Sequence, residues 1–92
     1  MTKTKTFVII TKKVGHNPDD WYQAMDALSD ILYKYSEHTQ NIVSNATSNV
    51  VRIRFTPEDQ KMQSMMSELR KLRSRYNVQI HLYEASFSWS LQ

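Results

Sequence analysis

Residues 50–59 read V-V-R-I-R-F-T-P-E-D. Val51, Ile53 and Phe55 alternate with Arg52 and Arg54, so this is a strand with one apolar face and one cationic face. The next four residues are a helix start. Thr56 can cap, Pro57 suits the first helical position, and Glu58 and Asp59 favour the positive end of a helix dipole. The same junction occurs earlier. A short β-branched run, F-V-I-I-T at 7–11, is followed by N-P-D-D at 17–20. Two strand-to-helix junctions in one short chain set the architecture.

Working outward, the first helix is predicted from about Pro18 to Glu37. Trp21, Met25, Leu28, Leu32 and Tyr35 fall on one stripe, with Ile31 beside it. The second is predicted from Pro57 to Tyr76, with Met62, Met65, Met66, Leu69, Leu72 and Tyr76 inward and Asn77 as a left-handed stop. Asn41–Ala46 and Val50–Phe55 form a hairpin around Thr47-Ser48-Asn49. Val78–Leu91 is extended. The order β-α-β-β-α-β is that of the ferredoxin-like sandwich. We therefore expect an α+β fold with a four-stranded antiparallel sheet in spatial order 4-1-3-2. Two helices should cover one face, and the other face should stay open. Residues 1–92 form a single domain, with 85–92 as a C-terminal strand extension.

Ninety-two residues leave room for one core. The chain has no cysteine, which excludes disulfides, thiolate metal sites and a cysteine nucleophile. No run approaches the ~20 apolar residues of a membrane span, and the N-terminal apolar core is too short for a signal peptide. A cytoplasmic protein with no membrane partner is expected. The net charge of +3 is unevenly placed. Residues 2–13 carry four lysines and no acid, residues 17–38 five acids and one lysine, and residues 50–76 seven basic and three acidic groups. Such a division can favour an acidic partner without a large global charge.

The chain's last stretch, A-S-F-S-W-S-L at 85–91, alternates strictly, and the extended run from Val78 to Leu91 would span roughly 46 Å, more than the domain's own helices can cover. A bulge near Tyr83–Glu84 would bring its apolar set onto the face of Val78, Ile80 and Leu82. Thr2–Thr6 is the matching excess on strand one. The two overhangs would form a ribbon exposing Phe87, Trp89 and Leu91, and a lone ribbon is marginal in water. These three residues are read as a homodimer interface. The competing reading folds the tail back over its own core.

Arg52, Arg54, His81 and Tyr83 should share the open sheet face. Arginines bind phosphate or stack on bases, and aromatic rings stack on bases, so this set suits single-stranded nucleic acid. The layout resembles RNA-recognition domains at the level of the fold. That family's strand-three motif carries glycine and several aromatics, which V-V-R-I-R-F lacks. Arg70, Lys71, Arg73 and Arg75, in R-K-L-R-S-R, form a second basic cluster, and Lys3 and Lys5 a third; each could add phosphate contacts. Dipole compensation and solubility are the plainer roles of the helix cluster.

Catalytic signals are absent. His16, His38 and His81 lack zinc-ligand spacing, and Gly15 is the only glycine, so no phosphate-cradling loop exists. No metal or cofactor is expected. Small CRISPR adaptation nucleases share this length and strand order, but they place an aspartate at the end of strand one, where this chain has T-K-K. A non-enzymatic, homodimeric binder of single-stranded RNA or other nucleic acid is the leading expectation. The alternatives are a phage-type or antitoxin-like inhibitor of one protein target, and a metal-independent ribonuclease using His81.

Overall fold

Residues 4–56 and 58–84 are described in a computed structural model of the chain. The readings at Lys3, Pro57, Phe87, Trp89 and Leu91 lie outside the described residues. The elements are β1 (Lys5–Lys13), α1 (Pro18–Tyr35), β2 (His38–Ser44), β3 (Ser48–Phe55), α2 (Asp59–Tyr76) and β4 (Val78–Glu84). All pairings are antiparallel, and the sheet order is β2-β3-β1-β4. This is the expected 4-1-3-2 arrangement read from the other edge.

Side-chain parity separates the two faces. Phe7, Ile9, Val51, Ile53, Phe55 and Val78 point to the helices and are buried. They meet Trp21, Ala24, Leu28, Ile31 and Leu32 of α1 and Met65, Leu69 and Leu72 of α2. Both faces of F-V-I-I are apolar, so the sequence left the buried side of β1 open. The odd residues take it. Met25 and Tyr35 are only half-buried, and Ala24 sits at the centre of the α1 stripe.

Several boundaries move, each for a local reason. Asn17 caps α1 as expected, its side chain accepting from Asp19 N at 2.9 Å. That helix stops at Tyr35, before Glu37, because Ser36 turns extended and its hydroxyl donates to the Leu32 carbonyl. Glu37 then begins the next strand's pairing, its N–H donating to Arg54 O at 2.8 Å. Thr56 was expected to cap α2. Instead its N–H and hydroxyl both donate to Glu37 Oε2 at 2.9 Å, and α2 starts at Asp59 after Glu58. β2 therefore begins three residues early, at His38, and ends at Ser44. The hairpin turn is built on Asn45, whose Oδ1 accepts from Thr47 N and Ser48 N. β1 also runs further than expected, through Lys13, which pairs with Val78. At its other end Lys5 and Thr6 pair with Phe55 and Arg54 of β3, so these two residues belong to the sheet.

Candidate nucleic-acid interface

The open face is a grid fixed by register. Residues directly opposite in an antiparallel pair share a face. One row across the sheet reads Gln40, Arg52, Val8, Tyr83, and the next Val43, Val50, Ile10, His81. Arg54 lies between His38 and Thr6, and Lys12 between Ser48 and Gln79. All four residues expected on the platform, Arg52, Arg54, His81 and Tyr83, stand on this face. Arg52 and Tyr83 are two strands apart, roughly 10 Å at the backbone. Val8, between them in the same row, is only 6% exposed although it lies outside the helix-side core cluster. Neighbouring side chains on an open sheet can bury such a residue with their apolar stems.

On β4, the His81 and Tyr83 rings are stacked, with centroids 6.2 Å apart and planes 23° from parallel. Tyr83 is 51% exposed. A flat, accessible aromatic surface thus borders the arginine-bearing part of the sheet.

The electrostatics of this face are one-sided. Nine acidic residues are present in the chain, and the face holds none of them. Asp19, Asp20, Asp26 and Asp30 are on α1, Asp59 and Glu68 on α2, and Glu58 precedes α2. Glu37 is engaged by Thr56, and Glu84 pairs with Phe7 on the helix side. Lys12, Arg52 and Arg54 share the open face with His38 and His81. Neither arginine has an ion-pair partner among the described residues.

The other expected cations go elsewhere. Lys5 points to the helix side, where its Nζ is 3.8 Å from Glu84. The α2 cluster is divided by helical geometry. Arg70 and Arg73 border a small groove over Ile80 and Leu82 of β4, whereas Lys71 and Arg75 border a groove between the helices. Arg75 also lies over the Tyr76 ring at 5.5 Å. All four stand in the helix layer, on the opposite side of the sheet from Arg52 and Arg54. A ligand lying flat on the open face does not reach them, so the helix cluster is separate from the platform.

His38, Gln40 and Lys12 were not anticipated on this face. Extending the H-T-Q-N alternation back from Asn41 would have placed His38 and Gln40 there. Carrying β1 past Thr11 would have placed Lys12. The three histidines do not converge: His38 and His81 are on opposite edge strands, and His16 is in the β1–α1 loop. Among the described residues, no group of three or more His, Asp or Glu is arranged to hold a metal.

No protein-family model matches the chain, and neither does any curated protein. Solved structures do. A de novo designed protein, Foldit4, aligns with TM-score 0.60 and 12% identity, covering 94% of this chain and all of the design. SnoaB, a cofactor-independent oxygenase from Streptomyces nogalater, aligns with TM-score 0.56 and 12% identity over 95% of this chain and 97% of its own. A protein of unknown function from Nitrosomonas europaea, NE2512, gives 0.53 and 12% over 92% of each chain. The fold is a ferredoxin-like α+β sandwich. At these identities the likeness extends to the fold alone.

Proposed function

We propose that the protein binds single-stranded nucleic acid, RNA by preference, on the open face of its sheet. The observation that supports this reading is the segregation of charge. Three cations and two histidines share a face with no carboxylate, beside a stacked and accessible His81–Tyr83 pair. Arg52, Arg54 and Lys12 would contact phosphates, and Tyr83 and His81 would stack on bases. No step of this reading is catalytic. A homodimer in the cytoplasm, joined through Phe87, Trp89 and Leu91, remains part of the proposal.

The test is fluorescence anisotropy with a labelled single-stranded RNA at several salt concentrations, beside a light-scattering mass. Binding should weaken steeply with salt, because phosphate contacts release counterions. Arg52→Ala combined with Arg54→Ala should abolish it, while Trp89→Ala should change the mass first. Absence of binding at low salt overturns the reading and favours a protein target. Binding that survives the double arginine change moves the interface off this face.

A further inference from the structure

The helix side of the sheet carries a second feature, independent of the cationic face. No residue of β2 is buried, and its helix-facing side chains Thr39, Asn41 and Ser44 are polar. Between this strand and α1 lies a cleft of about 290 Å³. Its inner wall is apolar core: Leu28, Leu32 and Val51. Asn49 lines it too, and is only 6% exposed.

Asn49 is the residue that brings polar chemistry to this wall. Its side chain forms no hydrogen bond among the described residues, and its amide stays open to the cleft rather than sealed in the core. It sits between Ser44 and Thr11 in one cross-strand row. The Thr11 hydroxyl, further in, is buried without a partner among the described residues. A polar row thus runs from the cleft in beside the apolar core, with an unused amide donor and acceptor at the cleft wall.

We propose that this cleft binds a small neutral heterocycle bearing adjacent hydrogen-bond donor and acceptor groups, a free nucleobase being the simplest example. Three observations define that chemistry. An amide offers a donor and an acceptor side by side, which matches an amidine or lactam edge; asparagine pairs with adenine in this manner. The apolar wall suits the face of a flat ring. Among the described residues the cleft lining holds no Lys, Arg or His and does hold Asp26, so an anion is disfavoured. Its volume, at the low end for small-molecule sites, suits one ring system and little more.

The experiment is a titration of the isotopically labelled protein with adenine, followed by amide NMR. Saturable shifts are expected at the Asn49 side-chain NH2 and at Thr39 and Asn41, with Arg52 and Tyr83 unmoved. Asn49→Ala should weaken the interaction roughly tenfold or more. Should that variant not fold, Ser29→Phe, at an exposed α1 position on the cleft, should block the site while leaving the spectrum folded. No saturable shift up to the solubility limit of adenine overturns the proposal. So do shifts that survive Ser29→Phe unchanged, or shifts centred on Arg52 and Tyr83. Failure of the open face to bind RNA leaves this outcome unaffected, because the two sites lie on opposite sides of the sheet.

Discussion

At the scale of single residues, the helix pair is joined by a polar contact that no periodicity announces. The Tyr35 hydroxyl donates to Glu68, and Lys34 Nζ approaches the same carboxylate at 3.3 Å. The Tyr35 hydrogen bond, with help from the Lys34 charge, holds the Glu68 carboxyl below its ordinary range. A carboxyl that titrates lower folded than unfolded stabilises the fold above the ordinary carboxylate range. That contribution fades as pH falls through the lowered folded value. Thermal unfolding of Tyr35→Phe should therefore fall short of the parent most at neutral pH, and the gap should narrow in acid. A gap independent of pH would remove Glu68 from the account. Trp21 offers a second check. Its indole N–H donates to Asn45 O at 3.0 Å, tying α1 to the hairpin turn. Trp21→Phe should cost about 1–2 kcal/mol in urea unfolding, from the lost hydrogen bond together with the void left by the buried indole. Burial of Trp21 was legible from its place on the stripe; its hydrogen bond was not, because the partner is 24 residues away. Arg52 and Arg54 were legible for the opposite reason, since strand parity alone assigns them a face.

Elements divide in the same way. Where a signal is local and unopposed, it holds. Asn17 caps α1, and Asn77 ends α2 in the left-handed region at φ 54°. Alanine tolerates the left-handed region less well than asparagine, so Asn77→Ala should cost about 1 kcal/mol of stability, read as a lower urea midpoint. An unchanged midpoint would show that the C-terminal turn of α2 re-forms otherwise. Where a local signal meets a tertiary one, the tertiary one prevails. Thr56 has the chemistry of a cap, yet Glu37 takes both of its donors and links the start of β2 to the end of β3. That contact accompanies two shifted boundaries, and the early start of β2 is why the sequence pattern did not place His38 and Gln40 on the platform. The cleft was equally invisible, because Thr39, Asn41 and Ser44 read as an ordinary polar strand until α1 is seen beside them.

For the whole molecule, the division of charge is the property that function would use. Local runs of lysines and acids hinted at it. Only the folded sheet shows that acids and platform cations occupy different faces, and that the α2 cluster sits on the far side. If Arg52 and Arg54 each neutralise one phosphate of a single strand, a plot of log affinity against log salt should flatten by about 1.4 when either variant pair retains measurable binding, for instance Arg52→Gln with Arg54→Gln. Loss of affinity with no change in slope would assign them to stacking. Stability should also be uneven across the sheet. β1 lies inside it, paired on both sides, while β2 is held by β3 alone and has no buried residue. Amide hydrogen exchange should be fastest in residues 39–44 and slowest in β1. Uniform protection would contradict this. The exposed strand has a consequence for how the protein survives partial opening. When β2 peels away, β3 becomes the new rim, and a bare rim invites other chains to add to it. The strand then uncovered is the one bearing Arg52 and Arg54, and two like charges repeated along a rim repel an identical strand. The same pair that would grip a polyanion also guards the half-open molecule against stacking on itself.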